Sequence, residues 1–352
     1  MTSKTITFGI IGAGMIAEKH IEGLQKTNHA KVKWVARSDK NRLAEFQQRY
    51  NIACGTTDYH ELLADPEVDA VVITSPPAMH YEMFKACVAA GKHILLEKPA
   101  AIQREHIEEM VKLAEAHPEL IISDCSARHA RLTPKFRKVK EIIDSGMLGE
   151  IYYIHHNSAA RQRRPGIEYH PSAKWFLNKE IAGGGVLFDW GVYDLSFHLG
   201  LLNDVPQVKS TNLLFMINGL DRKDPGTDVF DVEEHFAATL QLTGGIKYYW
   251  EHASNANVEV PNETRIYGTK GGIKLAFCSW ESPVIEFFDV AEEGRGAARS
   301  ERIEVDMTGH DDNDALSTHF VNVLLGKEQL LMPLSLAYKH LDVIYKLYDQ
   351  NR

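Results

Sequence analysis

A short stretch near the start of the chain, GIIGAGMIA over residues 9–17, constrains the fold more than any other. It closes an apolar run, Thr5–Ile11, that reads as a strand, and it opens a helical pattern over Met15–Gln25. Within it, Gly12-x-Gly14-x-x-Ala17 has the spacing of a dinucleotide-binding turn. The first glycine permits a tight bend and the second lets the backbone approach a pyrophosphate. A small third residue lets helix and strand pack closely. The opening of the helix at Met15, Ile16 and Ala17 then offers free N–H groups and the positive end of its dipole to phosphates. Alone, the same residues fit a plain strand–helix turn. The alternation of strands and helices downstream of them favours the nucleotide.

Lys31–Ala36, Ala70–Thr74, His93–Glu97 and Leu120–Ser123 read as further strands, and Lys40–Tyr50, His80–Ala90 and Gln103–His117 as the helices between them. Near-continuous apolar runs such as DAVVIT and HILLE suit strands covered on both faces of a parallel sheet. The rhythm changes after about residue 125. Pro134–Ser145 predicts a helix. Glu150–Asn157, Gln207–Met216, Glu234–Leu242, Ile246–His252, Asn262–Tyr267, Gly272–Phe277 and Val284–Asp289 predict strands, with hairpin signals at GG 244–245 and TKGG 269–272. Asp221–Asp231 and Ala291–Glu301 read as exposed loops, and Asp314–Leu325 and Leu334–Tyr348 as closing helices. At 352 residues two domains are expected. The fold class is α/β: a Rossmann doubly wound parallel sheet over residues 1–125, then an α+β domain with a large, mostly antiparallel open sheet over 126–352, whose last helix is free to pack back on the first domain.

A formal charge of −9 argues against a nucleic-acid surface, which needs a dense basic face. The four cysteines, Cys54, Cys87, Cys125 and Cys278, form no CxxC pair and suggest no disulfide framework. No apolar run is long enough to span a bilayer, and the opening residues do not follow a secretory pattern, so the expected compartment is the cytoplasm. No histidine stands four residues from another beside a carboxylate in a metal-binding pattern, and no metal is expected.

The second strand ends in Ala36-Arg37-Ser38, with Asp39 next. An arginine and a hydroxyl there suit the 2′-phosphate of NADP, while Asp39 on the ribose hydroxyls would suit NAD. Charge favours NADP(H) over NAD(H). After the fourth strand, Glu97-Lys98-Pro99 lies at the carboxyl edge, where open α/β sheets bind ligands. A lysine there is either a solvated charge or a group that hydrogen-bonds a substrate hydroxyl and tunes a neighbouring acid–base residue. An X-Pro bond at Pro99 permits a cis peptide. Further on, GGGVLFDWGVYD places Asp189 and Tyr193 four apart, on one face if the segment is helical. They are either a cap and a core aromatic or an acid–base pair.

The combination of GIIGAGMIA, ITSPPAMHYEMFKACVAAGKHILLEKPA, RHARLTPKFRKVKEIIDSGMLGEIYYI and AGGGVLFDWGVYDLS resembles the glucose–fructose oxidoreductase and inositol dehydrogenase family, nearly end to end. The resemblance implies a Rossmann domain, an open-sheet C-terminal domain, and homodimers or homotetramers through that sheet. It implies that Ser75, Pro76, Pro77 and His80 lie along the nicotinamide half of the cofactor, with Glu97 and Lys98 near the ring. In the family pattern a histidine follows the aspartate by four residues; here Tyr193 stands there, which leaves the proton to Tyr193, to Lys98, or to both. Trp175 and Tyr169 are candidate sugar-ring contacts, Arg128 a candidate substrate or cofactor contact, and Arg161, Arg163 and Arg164 a basic loop more consistent with solvated charge. The expected activity is hydride transfer between a nicotinamide and a carbinol or carbonyl carbon of a sugar or polyol. The family also contains glycoside hydrolases with a retained NAD, and a non-catalytic NAD(P) sensor is a third reading.

Overall fold

The computed structural model describes residues 4–161, 173–220, 226–290 and 296–351. The chain divides into two compact units, the first comprising Met1–Arg128, Glu180–Gly183 and Asp311–Leu341, the second His129–Lys179, Gly184–His310 and Asp342–Arg352.

The first unit is built on six parallel strands: β1 (Ile6–Ile11), β2 (Ala30–Ala36), β3 (Cys54–Thr56), β4 (Ala70–Ile73), β5 (His93–Leu96) and β6 (Ile122–Asp124), in spatial order β3-β2-β1-β4-β5-β6. The helices α1 (Met15–Lys26), α2 (Lys40–Tyr50), α3 (Tyr59–Ala64), α4 (His80–Ala89) and α5 (Arg104–Ala116) connect them. Every residue of β4 is buried, as a strand covered on both faces requires. The order reverses between β1 and β4, and such a switch point opens a crevice at the carboxyl ends of the strands. Residues Asp311–Leu341, grouped with the C-terminal domain in the reading from sequence, belong to this unit. Gly23 of α1 brings the backbone close to Ser317, Phe320 lies 6.2 Å from Phe8 between ring centroids, and Lys26 pairs with Asp314 at 2.6 Å.

After the short helix α7 (Lys179–Ala182) come α8 (Val186–Asp189) and α9 (Gly191–Leu201) of the second unit, which also contains α6 (Pro134–Asp144), β7 (Ile151–Ala159), β8 (Val208–Ile217), β9 (His235–Leu242), β10 (Lys247–Ala253), β11 (Val260–Gly268), β12 (Gly271–Leu275), β13 (Val284–Val290) and β14 (Ala298–Glu304). Its eight strands run β14-β13-β12-β11-β7-β10-β9-β8, antiparallel except for the β7–β10 pair. Both glycine hairpin signals form turns, between β9 and β10 and between β11 and β12. The loop expected over Ala291–Glu301 is corrected: its second half enters β14, which pairs with β13 along one side only. Residues 221–225 of the other expected loop, and 291–295 of this one, lie outside the described residues.

All eleven residues of α9 are buried. They face strand positions spaced by two, such as Tyr248, Trp250 and His252 of β10, all buried. The triple glycine before α8 serves this packing. A Cβ on Gly185 would lie 1.8 Å from the Glu233 carbonyl oxygen, and one on Gly184 would lie 1.8 Å from the Tyr348 hydroxyl. The Glu233 carboxylate in turn accepts the Gly185 and Leu187 N–H groups at 2.8 and 2.9 Å, capping α8.

Candidate active site

In the first unit, Gly12 sits at φ +98°, where a Cβ would press on the Ser75 backbone nitrogen at 2.7 Å. Only glycine suits that position. Gly14 is the N-cap of α1 and lends no side chain to it, and a Cβ there would meet nothing within 4 Å. Met15 and Ile16, which open α1, are half-buried, and Ala17 is fully buried. These residues fit a pyrophosphate cradle. At the end of β2 the Arg37 guanidinium donates to the Ala13 carbonyl of the same turn, and Ser38 is exposed. Asp39 accepts the Asn41 and Arg42 N–H groups at 3.0 and 3.1 Å as the cap of α2.

The next two strand ends carry Ser75-Pro76 and Glu97-Lys98. His80 is fully buried, with its ring nitrogens 2.8 Å from the Ser75 carbonyl and 3.0 Å from the Pro99 carbonyl. Burial pushes this imidazole's pKa down, against the pull of those carbonyls. Its observed role is to tie the two strand-end loops together. The Lys98–Pro99 bond is cis. Glu97 is buried and accepts from the Arg128 guanidinium; His20 Nε2 lies 2.7 Å from its carboxylate, and the Lys98 N–H reaches it at 3.1 Å. Burial works against this charge, but Arg128 and His20 outweigh it and hold the carboxyl well below the usual carboxylate range. Arg128, expected as a ligand contact or a surface ion pair, is buried and is a counter-ion of Glu97. Lys98 itself is half-buried. Asp124, ending β6, is pushed up to about 6, chiefly by burial.

In the second unit Asp189 ends α8 and Tyr193 lies in the first turn of α9, with Trp190 between the two helices. The single continuous helix assumed for the four-residue spacing is therefore two short ones. Both side chains are buried, Tyr193 to 1% exposure. Around Tyr193 the structure gathers rings that the sequence did not single out. His129 lies 4.9 Å away and Trp190 5.5 Å, and Trp280 packs edge-on to both His129 and Trp190 at 5.1 and 5.9 Å. Trp280 is 59% exposed. Lys135, fully buried, donates to the carbonyls of Ala276, Cys278 and Glu281 and so holds the loop that presents Trp280. Trp175 stacks instead on Phe176 at 3.9 Å. Tyr169, Arg163 and Arg164 lie outside the described residues.

Behind the rings is a polar network drawn from four elements. Asp194 accepts the Trp250 indole N–H at 2.8 Å, with His252 Nδ1 at 3.0 Å and His156 Nε2 at 3.4 Å. Thr264 Oγ1 lies 3.0 Å from both His156 and His198, and Tyr248 hydrogen-bonds His198 at 2.9 Å. Sequence reading missed all of it. The only signal was the period-two spacing of Tyr248, Trp250 and His252.

The comparisons agree with this architecture. Residues 6–124 match the model of an oxidoreductase family with an NAD-binding Rossmann fold, and residues 136–274 match the GFO/IDH/MocA C-terminal domain. The chain is similar to D-glucoside 3-dehydrogenase of Escherichia coli K12, 30% identical over 78% of each chain. It is also similar to D-xylose 1-dehydrogenase [NADP(+)] of Haloarcula marismortui, 24% identical over 92% of this chain and 85% of the relative. A structure of levoglucosan dehydrogenase in complex with NADH and levoglucosan shares the fold, with a TM-score of 0.82 at 18% identity over 98% of this chain and 97% of that one. Among the described residues no helix is long and apolar enough to cross a membrane. With its glycine turn, its two matched domains and its relatives, the chain belongs to the GFO/IDH/MocA family and is an NAD(P)-dependent oxidoreductase.

Proposed function

We propose that the chain oxidises or reduces a carbinol or carbonyl carbon of a sugar, polyol or related cyclic substrate, and that it prefers NADP(H). The observation that carries the substrate class is the ring cluster of His129, Trp190, Tyr193 and Trp280. The C–H face of a pyranose or cyclitol packs against aromatic faces, while its hydroxyls need polar partners such as Asp189. The similar dehydrogenases act, by their names, on a glucoside, on xylose and on levoglucosan.

The bound nicotinamide would supply or accept the hydride at C4. Gly12, Gly14, Met15, Ile16 and Ala17 hold the pyrophosphate, and Ser75, Pro76, Glu97 and Lys98 line the nicotinamide half, with His80 fixing their loops. Lys98 orients and polarises the reacting oxygen, Tyr193 relays its proton and Asp189 holds the substrate. Arg37 and Ser38 meet the 2′-phosphate. This last assignment is supported by Asp39, whose carboxylate is engaged in capping α2. Homodimers or homotetramers through the large sheet belong to the same reading. They are supported by half-exposed rings on its outer face, where His155 stacks on Tyr249 at 4.7 Å and Tyr153 lies 5.3 Å from Tyr267.

The test is fluorescence titration with NADPH and NADH, run beside reduced-nicotinamide absorbance over a panel of sugars and polyols. NADPH is expected to bind at least tenfold more tightly than NADH, and Arg37→Ala to abolish that preference. Copurifying cofactor, static absorbance and cleavage of glycosides would replace this reading with that of a hydrolase retaining its cofactor.

A further inference from the structure

We infer that Asp194 and His252 form a carboxylate–imidazole dyad, with His252 a catalytic acid–base residue and Asp194 the residue that positions it; the role in catalysis rests on the proposed dehydrogenase function. A helix buried along its whole length, as α9 is, can carry a carboxylate only where partners compensate it. Asp194, wholly buried, has them: the indole N–H of Trp250 and the imidazoles of His252 and His156. Burial opposes its charge, but the two imidazoles hold the carboxyl below the usual carboxylate range. An ionised Asp194 oxygen 3.0 Å from His252 Nδ1 can only accept, so His252 carries its proton on Nδ1 and presents Nε2 as the basic atom.

Location separates His252 from the other histidines of the network. The His156 and His198 rings are fully sealed and share Thr264. The His252 side chain retains 8% exposure and lies 5.8 Å from Trp190, the ring that also neighbours Tyr193 and Trp280. The titratable groups facing it are Asp194 of α9 and His156 of β7. The dyad thus opens toward the ring cluster from a sealed base. In oxidation, His252 Nε2 would receive the proton that Tyr193 relays from the substrate hydroxyl, while the bound nicotinamide would accept the hydride and the C=O bond would form. The imidazolium so produced is stabilised by Asp194, and reduction runs the same transfers backwards.

The test uses the full chain with ¹⁵N-labelled histidine, beside His252→Gln and Asp194→Asn. Gln keeps an N–H for Asp194, so the fold should persist. At neutral pH the His252 ring should be the Nδ1–H tautomer, and Asp194→Asn should abolish that preference. His252→Gln should lower kcat by about 10²–10⁴-fold, remove the acidic limb of the kcat/KM profile and leave NADPH binding unchanged. An Nε2–H tautomer, a divalent metal held by His156, Asp194 and His252 in the isolated protein, or a kcat within about threefold of wild type with the limb intact, would each overturn the dyad. If the wild type turns over no sugar or polyol, the dehydrogenase reading fails by itself, and the tautomer still decides whether the dyad exists.

Discussion

The two sheets solve the problem of buried charge differently. In the parallel sheet of the first unit both faces are covered, so ionised groups collect at strand ends. There Glu97 is held by a full counter-ion, Arg128, with His20 beside it. In the large sheet of the second unit, the carboxylate lies on a helix packed against the inner face. Asp194 is compensated by an indole N–H and by two imidazoles. The first arrangement sets one guanidinium against the carboxylate; the second spreads the compensation over three side chains from two strands.

The largest effect should come from breaking the fixed pair. Arg128→Ala leaves Glu97 buried without its counter-ion and should cost about 3–5 kcal/mol in denaturant unfolding. A loss below about 1 kcal/mol would mean that His20 suffices, and the contrast between the two sheets would fail. Next comes Asp124. Its folded-state pKa of about 6 is raised above the unfolded value, so its contribution favours the folded state below about pH 4 and is lost as pH rises through 6. Asp124→Asn should therefore gain stability relative to wild type between pH 4 and 7, by up to about 3 kcal/mol. Thermal melts across that range would show it, and a flat difference would place the group in water. Trp250→Phe removes one hydrogen bond to a charged group and should cost about 2 kcal/mol. A loss below about 0.5 kcal/mol would mean that the imidazoles alone compensate Asp194. The smallest effect is expected at Asp39→Ala, about 1 kcal/mol for the lost cap of α2, with NADPH affinity unchanged. A fall in affinity would bring Asp39 into the nucleotide site.

The same contrast explains what could be read from the sequence. In the first unit the chemistry follows local turns, so GIIGAG and EKP led to the correct strand ends, and the long elements begin and end within two residues of expectation. The omissions there, β3 and α3, are three and six residues long, too short for a period to show. β14 was read as loop because ARSERIE, paired on one side and almost wholly exposed, has no apolar face to alternate. In the second unit the site is assembled from separated segments. His129, Asp194, His252 and Trp280 share no motif, and their proximity is decided by strand pairing and by α9. The spacing of Asp189 and Tyr193 was legible, but not the break at Trp190.

Lys135 has a consequence for the order in which the molecule is made. Its ammonium closes contacts across 141 to 146 positions of chain, from the first turn of α6 to the segment Ala276–Glu281. Contacts so distant are among the slowest to form, because so much chain must first be gathered. During synthesis the segment carrying Trp280 emerges long after α6, and this anchor forms only once the two meet. The placement of Trp280 beside His129 and Trp190 is therefore tied to a contact that local chain cannot supply. A chain stalled before that step would lack the three carbonyl contacts of Lys135 and, with them, this hold on the loop that carries Trp280.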